Sequence, residues 1–468
     1  MFNKKSIFGF FVVWLLSAFA LFGQDFPRGA ILDEELYNSL PQKAEIQSRA
    51  STPKSHSLKQ YAPQPGDQGN YSTCTGWASA YAARTISESI ALNRRDAPST
   101  TNNVFSPIFA YKGGFTVFNL ANGNDGAAIP HVLDFMKKEG AVKRLSIEKT
   151  ADFKAITISM FANSKRYPIS DYVRLYSSSK MADNDNTKTE RVKRSLLEGK
   201  PVIIGMNSPD SFNKAKDVWR PSDNPTIDYG GHAMCVVGYD DTKDGGAFEI
   251  LNSWGTNWGN KGYIWIPYKV FNQFVFEAYE MIEDLKLYKD GAEYEGSVNI
   301  IIRDSNKGIP VRFDDGYYKT TDSYESGTRF RYLIGNKKPA YVYAFAADSA
   351  TKETTQIFPP PNTNISPVLD YSENVVALPG ESWWMRLNEI TGTDYLVVLY
   401  SKEALDIDAI RTRFSSAKGT FPERVANAVG SNYMSALQIK FEQTKMQFTA
   451  KSGNSKAVFG LLLAIDHK

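Results

Sequence analysis

Asn252-Ser253-Trp254-Gly255-Thr256-Asn257-Trp258-Gly259-Asn260-Lys261-Gly262-Tyr263-Ile264 is the stretch on which the reading of this chain turns. Three glycines and three asparagines make most of it a loop. Short apolar runs with strand composition flank it, 248–251 before and 263–266 after. Upstream, 240–246 has turn chemistry and follows Gly230-Gly231-His232-Ala233-Met234-Cys235-Val236-Val237-Gly238-Tyr239, another strand candidate. A hairpin of 232–239 with 248–251 brings Asn252 beside His232. Asn252 can then hold one ring nitrogen of His232 and leave the other facing a thiol, while Trp254 covers the bond from water. That is the arrangement of a base awaiting a nucleophile. Gly230 and Gly231 leave room beside His232 for a substrate backbone, which makes Gly231 a candidate binding residue.

The nucleophile is sought among two cysteines, Cys74 and Cys235. Cys74 lies where the glycine-rich Gly66-Asp67-Gln68-Gly69 loop meets a helix. Ala78, Ala82, Ile86 and Ile90 repeat every four residues, with Ser72 or Thr73 as N-cap. A helix N-terminus favours negative charge and is expected to lower the thiol pKa. Cys235 sits inside a strand among apolar neighbours. A Cys74–Cys235 bridge is the other reading of the pair. Of the four histidines, His56 lies in a polar leader, His131 opens an amphipathic helix, and His467 is next to last. Gln68, six residues before Cys74, can donate from its amide to the oxyanion that the Cys74 backbone N–H also reaches.

These segments resemble the papain and cathepsin family of cysteine peptidases. Gln68-Gly69-Asn70-Tyr71-Ser72-Thr73-Cys74 is similar to the family's approach to its catalytic cysteine. The 252–264 stretch resembles its Asn-Ser-Trp-Gly motif almost position for position, and His232-Ala233 with Val236-Val237-Gly238-Tyr239 resembles its histidine strand. The resemblance covers roughly residues 58–285. It implies catalytic roles for Cys74, His232, Asn252 and Gln68. It also implies that Asn124-Asp125-Gly126-Ala127 pairs with substrate backbone through Gly126 and Ala127, with Trp254 beside the substrate. Four departures stand out. Ala127 replaces a glycine. Thr75-Gly76 separate Cys74 from Trp77. The family's disulfide cysteines are missing, and so is its long helical propeptide.

Length and composition agree. The chain has 468 residues, 42% hydrophobic and 22% charged, with a formal net charge of +3. That is globular composition for two or three domains, without the basic surface of a nucleic-acid binder. Nothing in the reading calls for a metal or a cofactor. Lys4 and Lys5 precede an apolar run over 7–22 with small-residue cleavage contexts at Ala18–Ala20 and Gly23, as in a secretory signal peptide. An uncleaved anchor is the alternative, though the run is short for a span of ~20 residues. The expected plan is a signal peptide over 1–24, a short leader or pro-segment over 25–57, and a two-lobe α+β papain-like domain over 58–285. A linker over 286–296 and a β-sandwich-like domain over 297–468 follow. The location implied is extracytoplasmic, periplasmic or secreted.

The last domain is expected to carry strands over 298–302, 329–334, 341–346, 395–400 and 457–465, and helix within 403–435. It resembles a bacterial module of undescribed function found beside secreted peptidases, through Tyr341-Val342-Tyr343-Ala344-Phe345 and Thr393-Asp394-Tyr395-Leu396. The alternation of Tyr341, Tyr343 and Phe345 predicts a core face. One indole of Trp383-Trp384 is expected at the surface, where it offers contact with a surface or polymer. The function expected is hydrolysis of peptide or protein substrates through an acyl-thioenzyme. The alternatives are an inactive papain-like binding protein and a transglutaminase-type acyl transferase.

Overall fold

The computed structural model describes residues 26–44, 46–47, 52–115, 123–144, 158–177, 185–283, 293–349, 353–370, 375–380, 383–452 and 456–468. The expected signal peptide, and residues 286–292 of the expected linker, lie outside the described residues. Glu293 to Gly296, also read as linker, begin the strand Glu293–Ile302.

The helical half is built around one continuous helix. It starts at Cys74–Gly76, widens to π-type turns over Trp77–Arg84, and returns to α geometry over Thr85–Ala91. Small residues let neighbours approach it. A Cβ on Gly76 would lie 2.1 Å from the Pro107 carbonyl oxygen, so glycine here admits the helix Pro107–Gly113. The amphipathic helix expected to open at His131 is Ile129–Lys138, and another helix runs over Asp185–Leu197.

The other half is an antiparallel sheet in the order Asp171–Arg174, Val275–Ile282, Val202–Asn207, Gly231–Asp240, Ala247–Leu251, Tyr263–Pro267. The pairing Cys235↔Leu251 and Tyr239↔Phe248 is the expected hairpin. The strand Val275–Ile282 was not foreseen, because Glu277 and Glu280 break its apolar run. Both carboxylates are buried and paired: Glu277 accepts from Tyr279 Oη and Asp33 N–H, Glu280 from Lys43. A buried carboxylate is tolerated only with such partners.

The C-terminal part is a sandwich of an eight-stranded and a seven-stranded sheet. Val298, Ile300, Tyr332 and Ile334 of the first face Val342, Ala344, Leu396, Leu461 and Leu463 of the second in one core. The expected strands correspond, to within one residue, to parts of Glu293–Ile302, Arg329–Asn336, Ala340–Asp348, Gly392–Ser401 and Val458–His467, and the helices are Ile407–Ser416 and Phe421–Val429. Tyr341, Tyr343 and Phe345 face outward from the sandwich onto these helices. They are buried together with Val173 and Ile282 of the other sheet, so they are a core face shared by both halves of the molecule. A buried Lys200–Asp370 ion pair of 2.8 Å crosses the same junction. Trp383 is 72% exposed, while Trp384 lies under the Arg331 guanidinium, 4.1 Å from its ring centre.

Candidate active site

Cys74 opens the central helix and is fully buried. Thr73 takes the N-cap position, but its hydroxyl makes no capping bond and is buried without a partner, contrary to the sequence expectation. The backbone N–H groups of Ala233 and Gly29 face the sulfur. The first places the thiol beside the residue that follows His232. The second belongs to the N-terminal leader. Burial pushes the Cys74 thiol up to about 11, despite those donors. The expected lowering by the helix end is absent here because desolvation under the leader outweighs it. Both cysteines are free, which excludes the bridge. Cys235 is fully buried on the strand, where burial raises its thiol pKa as well.

His232 and Asn252 meet as the hairpin requires, with Nε2 and Oδ1 2.8 Å apart. Asn252 Oδ1 also accepts from the Ser253 backbone N–H at 2.8 Å, which fixes the amide with its oxygen toward the imidazole. Nε2 therefore carries the ring proton, and Nδ1, buried without a partner, is left basic. Trp254 stacks on His232 with centroids 4.4 Å apart and planes at 22°, covering the His232–Asn252 bond. Burial lowers the His232 pKa to about 4; the Asn252 bond opposes this and the Arg28 charge adds to it. In this state thiol and imidazole are both neutral.

Gln68 is 4% exposed and held from three sides. Its backbone N–H donates to Ser253 O at 2.8 Å, its Oε1 accepts from Ser253 Oγ at 2.6 Å, and its Nε2 donates to Tyr71 O at 2.7 Å. Ser253 thus serves Asn252 with its N–H and Gln68 with its hydroxyl. Trp77, displaced from the nucleophile by Thr75-Gly76, packs instead under the Gly66 loop and against Tyr81 at 4.7 Å.

The cleft is occupied by the chain's own leader. Phe26 stacks on Trp254 with centroids 4.6 Å apart and planes at 12°. Pro27 O accepts from Gln68 Nε2 at 3.2 Å. Ala30 N–H donates to Gly231 O at 3.0 Å, Ala127 N–H to Gly29 O at 2.8 Å, and Ile31 N–H to Ala127 O at 3.1 Å. A Cβ on Gly29 would lie 2.0 Å from Ser72 O, one on Gly231 2.1 Å from Ala30 O, and one on Gly126 3.0 Å from Gly29 O. Ala127 keeps both backbone bonds that a glycine would make. Leu32 ends the run at a cavity of about 140 Å³ lined by Asn207, Ile227, Phe276 and Glu277. Burial raises the Glu277 pKa to about 7.

Residues 116–283 match the family model described as papain family cysteine protease. The chain carries a papain-family cysteine protease domain. The matched stretch holds His232 and Asn252; Cys74 and Gln68 lie upstream of it, and their place beside the papain-family pair rests on the geometry above. An uncharacterized peptidase C1-like protein of Acanthamoeba polyphaga mimivirus is 28% identical over 220 residues, 43% of this chain and 64% of that protein. Peptidase 1 of Psoroptes ovis is 32% identical over 151 residues, 30% of this chain and 41% of its own. The chain thus spans less than two thirds of the length of these curated relatives. Xylellain, a cysteine protease from Xylella fastidiosa, superposes with a TM-score of 0.43 at 21% identity, over 55% of this chain and 96% of its own.

All eight residues singled out from sequence sit around this one cleft. Sequence reasoning missed the leader in the cleft, Ser253 as the link between Gln68 and Asn252, and Glu277 under Leu32. The one local signal for the first was Gly29 within 26–32, a stretch apolar but for Arg28 in an otherwise polar leader.

Proposed function

We propose that the protein is a cysteine peptidase, exported and made in a latent form. The observation that carries this is the 2.8 Å His232–Asn252 bond, which leaves His232 Nδ1 buried and basic, on the strand whose next residue, Ala233, turns its N–H to the Cys74 sulfur. With the leader out of the cleft, His232 takes the Cys74 proton and the thiolate attacks a peptide carbonyl. The resulting oxyanion is stabilised by Gln68 Nε2 and the Cys74 N–H. The imidazolium then protonates the leaving amine. Water, activated by His232, hydrolyses the acyl-thioenzyme to the free acid. The backbone groups of Ala127 and Gly231 that now pair with the leader hold the substrate, with Gly126 leaving room beside them. Trp254, stacked by Phe26, is the contact beyond the nucleophile, where an open groove of about 1110 Å³ continues. The C-terminal domain, with Trp383 exposed, is assigned to contact with a surface or polymer.

The test is to remove the leader from the cleft and measure release of new amino termini from a peptide. Labelling Cys74 with a thiol-reactive epoxide should abolish that release. Labelling without any hydrolysis would point to a binding protein, and amine incorporation in place of hydrolysis to an acyl transferase.

A further inference from the structure

Residues 26–33 and 34–47 are held by different kinds of contact, and the difference predicts different fates. The first part uses the groups that the cleft must free before it can work: Gln68 Nε2, Gly231 O, both backbone groups of Ala127, and the face of Trp254. Its outer side is open, with Ile31 51% exposed and the Arg28–Asp210 pair at the surface. The second part touches none of those groups.

Residues 34–47 are instead built into the junction between the two halves. The helix Glu34–Ser39 is capped by Asp33, whose side chain accepts from Leu36 N–H. It buries Tyr37 completely; the Tyr37 hydroxyl lies 3.3 Å from both Ala278 N and Ala278 O, and its ring meets Tyr279 edge-on at 5.2 Å. From Pro41 the chain is extended and paired on both sides. Pro41 O accepts from Arg174 N–H and Lys43 N–H donates to Arg174 O, each at 2.9 Å, continuing the peptidase sheet. Gln42 N–H donates to Asn364 O at 2.6 Å and Gln42 O accepts from Ser366 N–H at 2.9 Å, on the C-terminal domain. Lys43 ion-pairs with Glu198 and Glu280, all three side chains nearly buried. Ala44 enters the sandwich core, and Ile46–Gln47 pairs with Val376 and Val375 as an added strand.

We propose that the leader is two devices: residues 26–33 are a removable plug, and residues 34–47 are a permanent strap that holds the C-terminal domain on the peptidase domain. Activation then cuts at the exposed start of the Glu34–Ser39 helix, Asp33–Glu35, not at the start of the peptidase domain. In that cut water adds hydroxyl to the carbonyl carbon and hydrogen to the amide nitrogen, so Asp33 or Glu34 becomes a new C-terminus. The strap cannot leave cheaply. Its departure would take the Lys43 ammonium away from two buried carboxylates, Glu198 and Glu280, and removing one partner of a buried ion pair is strongly destabilising. It would also open backbone pairs in two sheets. The proposal rests on the peptidase reading only for the word activation.

The experiment uses the full chain carrying Cys74→Ala, so no self-cleavage intervenes. Recognition sites for a sequence-specific protease are inserted at two exposed points, between Asp33 and Glu34 and between Thr52 and Pro53. After both cuts, native gel filtration and mass spectrometry should find the fragment beginning at Glu34 with the body of the protein and the fragment ending at Asp33 gone. Loss of both fragments, or retention of both, would overturn the division. Adding Tyr37→Ala to the doubly cut protein should speed loss of the strap at least tenfold; an unchanged rate would also count against it. The masses are read without any activity, so a failed peptidase reading would leave this result standing.

Discussion

Pro27 lends its carbonyl oxygen to Gln68, 3.2 Å from the side-chain nitrogen assigned to the oxyanion. The leader therefore takes the second N–H of the amide proposed to hold the oxyanion, whose first donates to Tyr71 O at 2.7 Å. The same economy recurs at Ala127, whose N–H and O pair with Gly29 and Ile31, and at Gly231, whose O accepts from Ala30 N–H.

Gly29→Ala should release the plug. A Cβ there would meet Ser72 O at 2.0 Å, and the backbone of Ser72 has nowhere to go, because its N–H is bonded to Gly123 O at 2.6 Å. Freshly purified Gly29→Ala protein should hydrolyse a fluorogenic peptide at least tenfold faster than unprocessed wild type. Equal latency in the two would mean that residues 26–33 do not limit access.

Cys74→Ala should reduce hydrolysis to background in plug-free protein, while Cys235→Ala should keep most of it. Cys74 has the neighbouring Ala233 N–H and the helix start; Cys235 contacts only its strand surroundings, with its thiol donating weakly to Val236 O at 3.8 Å. Losing one buried sulfur should cost about 1–2 kcal/mol of stability, visible as a small drop in Tm. A folded Cys235→Ala protein without activity would reverse the assignment.

Gln68→Ala should lower kcat by ~10²-fold with KM nearly unchanged, since the amide acts on charge that exists only in the transition state. Ser253→Ala should reproduce part of that loss by freeing Gln68 Oε1, which the Ser253 hydroxyl now holds at 2.6 Å. Asn252→Ala should retain partial activity, because His232 stays stacked on Trp254 when its hydrogen bond is gone. A Gln68→Ala enzyme that lost affinity at full kcat would place Gln68 in substrate binding instead.

How much of this was legible depended on whether a feature is local. The 252–264 loop and the hairpin that aims Asn252 at His232 are written in contiguous composition, and the structure has both. The strand Val275–Ile282 was hidden because its glutamates signal a surface, and their partners Lys43 and Asp33 lie more than 200 residues away in sequence. The plug was hidden for the same reason: Ala30 pairs with Gly231 through backbone atoms, which leave no mark on residue type. The Cys74 pKa was misjudged because a helix end is visible in sequence and a lid over it is not.

Acid should loosen the plug. With the leader in place His232 has a pKa of about 4, set first by burial and in part by Arg28, a leader residue. With the leader gone, water reaches the ring and Arg28 leaves, so the pKa moves back toward 6.5, the ordinary value. The open state then binds a proton that the closed state refuses. The plug's hold is full above about pH 6.5 and is lost progressively as pH falls toward 4, by up to roughly 3 kcal/mol at 1.36 kcal/mol per unit. Glu277 pulls the other way, since a raised carboxyl pKa favours the closed state in acid. On release of the plug, water and loss of the Asp33 charge lower the Glu277 pKa while loss of the Asp33 N–H raises it, and the His232→Gln variant leaves this opposing share to be read alone. The measurement is the rate at which 2,2′-dithiodipyridine, which attacks thiols in acid as well as at neutral pH, modifies Cys74 in full-length protein. That rate should rise between pH 6.5 and 4.5 in wild type, and the rise should vanish in His232→Gln. A rate that is flat or falls with acid in wild type would show that His232 does not set the plug's hold.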